Sequence, residues 1–154
     1  MPKFETTRKV PFSARQMYDI VADVEAYPQF LPLCEDLKVE SREVTGETTV
    51  VVATMRVGYK TITESFRTRV TLKPADPLIV VEYLDGPFRR LENRWRFVPT
   101  PEGSEVHFYI DYEFRSPMLG ILMGAMFDKA FRRFSEAFEE RARAIYGAPA
   151  AAQV

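Results

Sequence analysis

The chain is poor in the residues that most often carry chemistry. Its 154 residues include one cysteine, one histidine and one tryptophan. A lone Cys34 excludes an intramolecular disulfide and a cysteine-cluster metal site. With His107 as the sole imidazole, no Ser/His/Asp or Cys/His set can be assembled without it. The strand phase of His107 points it outward with Asp111 and Glu113, as a surface histidine. Metal-ligand spacing is lacking, and so is a glycine loop of the kind that cradles phosphate. An excess of either charge is lacking too. Lys and Arg number 21 against 22 Asp and Glu, a net charge of −1, so no global basic field calls for DNA. No window holds the roughly 20 uninterrupted apolar residues of a membrane span. The first residues lack the basic–apolar–small order of a secretory signal. The expected location is the cytoplasm or, peripherally, the inner membrane face.

What the chain does have is apolar and aromatic material, with 12 phenylalanines and 7 tyrosines. A chain of this length buries roughly 70% of its unfolded surface in one core. We expect one domain over residues 1–147 and a flexible tail over 148–154.

Lys3 to Val10 reads as a first strand. Ser13 is an N-cap with Gln16 at the capping-box position, and Met17, Ile20, Val21 and Val24 follow at helical spacing to about Glu25. Strands then alternate with turns. Leu37 to Val44 is weakly alternating, Thr45-Gly46 reads as a hairpin turn, and Thr48 to Val57 is β-branched until Gly58 breaks it. Ile62, Phe66, Val70 and Leu72 share one strand face opposite Arg67, Arg69, Thr71 and Lys73. Leu78 to Leu84 is a further strand. Leu91, Trp95 and Phe97 alternate with Glu92, Arg94 and Arg96. Val106, Phe108, Ile110, Tyr112 and Phe114 alternate with Glu105, His107, Tyr109, Asp111 and Glu113. Short turns between consecutive strands predict antiparallel pairing with one buried face. Ser116-Pro117 opens a helix of about 30 residues that ends at Gly147. Its apolar stripe is Leu119, Leu122, Met123, Met126, Ala130, Phe131, Phe134, Phe138 and Ile145.

Two segments stand apart. Tyr27-Pro28-Gln29-Phe30-Leu31-Pro32-Leu33-Cys34 is apolar yet holds two prolines, so it is expected to be a loop or broken turn that covers something apolar. Met118 to Phe127 is apolar almost all round, which suggests a pocket mouth, a membrane contact or an oligomer interface. The element order predicts an α+β fold. A curved antiparallel sheet of six or seven strands wraps the long C-terminal helix, and short helices after the first strand close one end of the space left between them.

This order resembles the START-like helix-grip superfamily. Within it the chain is similar to the coenzyme-Q-binding subfamily, which also includes bacterial ribosome association toxins. The resemblance rests on Asp23 to Cys34, on Asn93-Arg94-Trp95-Arg96-Phe97 and on the spacing from Ser116-Pro117 through the Met- and Phe-rich helix. It implies a hydrophobic tunnel that holds ubiquinone or another polyprenyl lipid in support of respiratory electron transport. It implies no enzymatic role and no cofactor beyond the bound lipid. The expected ligand contacts are Tyr27, Phe30, Leu31, Phe66, Asn93, Trp95, Phe108, Tyr112, Leu122, Met123, Met126 and Phe127.

Other readings stand beside these. The methionines of the long helix fit ordinary core packing, and Trp95, Phe108 and Tyr112 fit sheet core as well as a ligand wall. Asn93 points inward by phase, toward either a quinone carbonyl or a backbone partner. Glu64 shares the apolar face, as a polar anchor or at an exposed strand end. Arg67, Arg69, Arg89, Arg90, Arg94 and Arg96 cluster on strands, where they would meet ribosomal RNA or anionic lipid, or pair with Glu92, Glu105, Asp111 and Glu113. A ribosome-associating protein is therefore the alternative to a lipid carrier. An aromatase or cyclase would need polar acid/base groups in the cavity, whereas the inward pattern is mostly apolar.

Overall fold

A strand that alternates apolar and polar side chains presents one face that must be covered. The computed structural model, which describes residues 3–59 and 61–147, shows what covers it. Seven strands form one antiparallel sheet: β1 (Lys3–Val10), β2 (Cys34–Thr45), β3 (Thr48–Tyr59), β4 (Ile62–Lys73), β5 (Leu78–Asp85), β6 (Phe88–Thr100) and β7 (Gly103–Phe114). Their order across the sheet is β1-β7-β6-β5-β4-β3-β2. Between β1 and β2 lie α1 (Ala14–Ala22) and a 3-10 helix (Val24–Gln29), and α2 (Pro117–Tyr146) follows β7. The fold is the α+β helix-grip arrangement expected from the sequence.

The helix starts follow from local chemistry. At α1, Ser13 Oγ accepts the Gln16 N–H at 3.0 Å and Gln16 Oε1 accepts the Ser13 N–H at 2.9 Å, a complete capping box. At α2, Ser116 caps the Leu119 N–H and Pro117 occupies the first turn, where its missing N–H costs nothing.

Some boundaries differ from expectation. Tyr27 and Pro28 do not sit in an open loop: they lie inside the 3-10 helix. So short a 3-10 helix tolerates Pro28 because few of its N–H groups need partners. The first helix therefore stops at Ala22 rather than Glu25. Cys34 begins β2. Gly58 does not break β3, which runs on to Tyr59. It donates its N–H to Leu33 O at 3.0 Å, and a Cβ there would lie 2.1 Å from Glu35 Oε2, so glycine is what lets the Glu35 side chain cross. The tail over 148–154 lies outside the described residues.

Packing along α2 is uneven. Its main partners are α1, β7 and β1. Aromatic rings fill that half: Trp95 lies 4.5 Å from Phe108 and 5.0 Å from Phe138, and Tyr112 lies 5.0 Å from Phe131, between ring centres. No comparable packing joins α2 to β2–β5, and a space opens there.

Candidate functional site

The space exists because small side chains occupy inward positions. On β3 and β4, Ala53 and Thr68 are register partners and both point inward, 3% and 8% exposed. On α2, Ala130 faces the same space. Larger apolar residues complete the wall: Met55 and Val57 on β3, Phe66 and Val70 on β4, Ile79 and Val81 on β5, Leu91 and Trp95 on β6, Ile110 on β7, and Phe127, Phe131, Phe134 and Phe138 on α2. Val24, Tyr27, Leu31, Pro32, Leu33 and Leu37 close the remaining end. The cavity offers about 80 Å³ to the centre of a water-sized sphere, within about 880 Å³ of atom-free space that is partly open to solvent. None of the lining residues carries a charge.

The cover is tied down by identifiable contacts. Tyr27 donates its hydroxyl to Val21 O, and burial raises its pKa, so the phenol stays a neutral donor. Its ring lies 5.3 Å from that of Phe138, and Phe30 lies 5.4 Å from the same ring, so the cover is fastened to α2. Leu33 takes φ of 68°, the left-handed region that a Cβ disfavours by about 1–2 kcal/mol. That conformation turns an apolar side chain into the cavity while its carbonyl reaches Gly58. Cys34 is buried, and burial, helped by Asp36, pushes its thiol up to about 11. It behaves as a small apolar residue.

Of the expected contacts, Tyr27, Leu31, Phe66, Asn93, Trp95 and Phe127 line the cavity together. The other six lie elsewhere. Phe30 packs behind Tyr27 on Phe138. Phe108, Tyr112 and Met123 are buried in the filled half of the core, each at 1% exposed. Leu122 is 53% exposed and Met126 half-buried, on the far side of α2. The helical phase explains the correction. The wall uses positions 127, 130, 131, 134 and 138, so a residue at 122 or 126 is turned away from it. Ile145, also assigned to the stripe, is 53% exposed. Sequence reasoning did not name most of the wall as ligand contacts, and among the residues it left out are the small ones, Ala53, Thr68 and Ala130, the last placed only on the apolar stripe of the helix. Their signal was available as small residues in inward phase on otherwise bulky faces.

Asn93 does turn inward, but it is tied to the protein. It donates to Tyr109 O at 2.9 Å and accepts the Trp95 Nε1–H at 3.2 Å. Glu64 is half-buried and does not line the cavity. His107 sits on the outer face of β7, 3.2 Å from Thr7 Oγ1 and 3.3 Å from Glu105. No acid or base among the described residues therefore lines the cavity, and no group of three or more metal-ligating side chains occurs among them. Three of the six clustered strand arginines are paired: Arg67 with Glu40, Arg90 with Asp111 and Glu113, and Arg94 with Glu92. No helix among the described residues is long and apolar enough to cross a membrane. The first turns of α2 nevertheless leave Met118, Ile121 and Leu122 exposed, at 66%, 82% and 53%.

Known proteins resemble this chain over nearly its whole length. Residues 10–139 match the family described as polyketide cyclase / dehydrase and lipid transport. The ribosome association toxin RatA of Escherichia coli is 34% identical, over 96% of this chain and 91% of its own. The coenzyme Q-binding protein COQ10 homolog B of Xenopus laevis, a mitochondrial protein, is 33% identical over 94% of this chain, which spans 59% of that protein. Among solved structures, an 18 kDa protein of Caulobacter crescentus is 34% identical and superimposes with a TM-score of 0.78, covering 96% of this chain and all of the other. The Zhui aromatase/cyclase of a Streptomyces, 20% identical over 94% and 95% of the two chains with a TM-score of 0.73, shares the fold alone.

Proposed function

Because the chain belongs to the polyketide cyclase / dehydrase and lipid transport family, we propose that it carries a polyprenyl lipid, ubiquinone or one of its polyprenyl precursors, in the cavity between the sheet and α2. The observation that carries this reading is an apolar cavity with no charged lining residue. An isoprenoid chain gains by leaving water for such a wall, at about 25 cal/mol per Å² of apolar surface. The cavity is small: a water needs roughly 10–15 Å³ of such volume, so the present space suits a ring or a few isoprene carbons. A longer tail enters only as the cover and α2 part from the loosely packed β2–β5 half. Met118, Ile121 and Leu122 then form an apolar landing at a lipid surface, where the exchange takes place.

A second reading, association with the ribosome, is supported by the relatives that bear that name. It is also supported by Arg69 and Arg96, exposed on β4 and β6 with no carboxylate within 4.0 Å among the described residues. Two measurements separate the readings. Mass spectrometry of the organic extract of purified protein is expected to find a polyprenyl quinone or related lipid. Protein that stays lipid-free and takes up no added ubiquinone would remove the carrier reading. Changing Arg69 and Arg96 to Gln is expected to leave ubiquinone uptake unchanged, because both side chains point away from the cavity. If that variant alone loses its activity in cells, together with salt-dependent sedimentation on ribosomal subunits, the ribosome reading takes its place.

A further inference from the structure

Three polar side chains line the cavity, and two of them are occupied. Tyr27 is bonded to Val21, and Asn93 is bonded through both its nitrogen and its oxygen. The third is Thr68, halfway along β4 between Phe66 and Val70. It is 8% exposed, so it is more than nine-tenths buried, and its hydroxyl bonds no group among the described residues. Around it the wall is Ala53, Met55, Phe66 and Val70. The fully buried side-chain atoms without a partner among the described residues are His107 Nε2, Tyr112 Oη and Ser135 Oγ, so Thr68 Oγ1 is not sealed off and keeps contact with the open space beside it. On this inward-facing residue that space is the cavity, so a donor and an acceptor are left for whatever enters it, in a wall that holds no charge.

We propose that the cavity selects neutral lipids bearing a carbonyl or hydroxyl oxygen, and that Thr68 is the group that hydrogen-bonds this oxygen. The proposal rests on the carrier reading and adds the head-group class to it. A hydroxyl serves either partner: it donates to a quinone carbonyl and accepts from a prenyl alcohol or phenol. A carboxylate, phosphate or diphosphate head is excluded from the interior, because no lining lysine, arginine or histidine offsets its desolvation. Lipids with such heads are left to bind, if at all, with the head outside.

The test uses the full chain, the variants Thr68→Val and Thr68→Ser, and four probes: a short-chain ubiquinone, geranylgeraniol, geranylgeranyl diphosphate and squalene. Trp95 is the sole tryptophan and lines the cavity, so quenching of its fluorescence reports the quinone, and displacement of the quinone reports the others. Thr68→Val is expected to bind the quinone and the alcohol about fivefold to tenfold more weakly, the size of one neutral hydrogen bond. Thr68→Ser, which keeps the hydroxyl, is expected to restore most of that, and squalene is expected to bind all three proteins alike. The wild-type protein is expected to prefer the alcohol to its diphosphate by at least about tenfold. Equal quinone affinity in wild type and Thr68→Val overturns the anchor, and equal affinity for alcohol and diphosphate overturns the neutral-head rule. Both leave the carrier reading standing as long as the neutral probes bind. If none of the four binds the wild-type protein, the carrier reading falls and this proposal falls with it.

Discussion

Replacing Ala53 and Ala130 together by leucine is expected to reduce lipid uptake at least about tenfold while the protein stays folded. Both alanines are buried, at 3% and 5% exposed, and both line the cavity, one on β3 and one on α2. The double change adds six carbon atoms to the wall of a cavity with about 80 Å³ of room for water-sized centres. The added carbons meet atoms where there was a void, so the protein gains dispersion contacts. Filling a void of this kind typically adds about 0.5–2 kcal/mol of stability. For a chain of this size each 1 kcal/mol moves the melting temperature by about 2–4 °C. The expected outcome is an unchanged or higher melting temperature and a fall in bound ubiquinone, read by extraction and by Trp95 quenching. Leu122→Lys serves as the control. Because Leu122 is 53% exposed, its ammonium stays in water, and uptake in solution is expected to persist. Full uptake by the double-leucine variant would show that the lipid does not occupy this space.

The second large effect concerns stability rather than binding. Trp95→Ala is expected to cost about 3–5 kcal/mol, as other large aromatic truncations in packed cores do. Trp95 is 3% exposed and sits where the filled and hollow halves of the interior meet. Its ring contacts Phe108 and Phe138 and lies parallel to Phe97, with centres 6.5 Å apart. In register it stands between Ile79 of β5 and Phe108 of β7. Removing it joins a second void to the existing cavity and frees the Asn93 oxygen that accepts the indole N–H. Urea unfolding, followed by circular dichroism because the variant has no tryptophan, checks the value. A loss below about 1 kcal/mol would mean that this wall is already loose and that the cavity extends further toward β7 than the packing shows.

Much of the fold was legible because it depends on local rules. The caps at Ser13 and Ser116, the stop at Gly147 and the alternation along β4, β6 and β7 each follow from hydrogen-bond accounting or from a period of two. The role of Tyr27 to Leu33 as a cover was legible as well, since an apolar segment stiffened by proline needs something apolar beneath it. The site was only half legible. Tyr27, Leu31, Phe66, Asn93, Trp95 and Phe127 meet at the cavity, whereas Phe108, Tyr112 and Met123 went into the filled half of the core and Leu122 went to solvent. Alternation says which face of a strand is buried. It does not say whether a helix presses on that face or stands away from it.

The amino-acid sequence by itself determined the element order, the antiparallel sheet, the long closing helix and an inward face that is mostly apolar. These follow from short-range spacing and from the cost of burying unpaired polar groups. The tertiary structure decided where along that inward face the hollow lies and which side of α2 lines it. Met118 to Phe127 is apolar nearly all round, so its composition carries no rotational phase, and the phase of α2 is set by its packing on α1, β7 and β1. Once α2 is held at that end, the curling β2–β5 half cannot reach it across Ala53, Thr68 and Ala130, whose side chains are too short to close the gap.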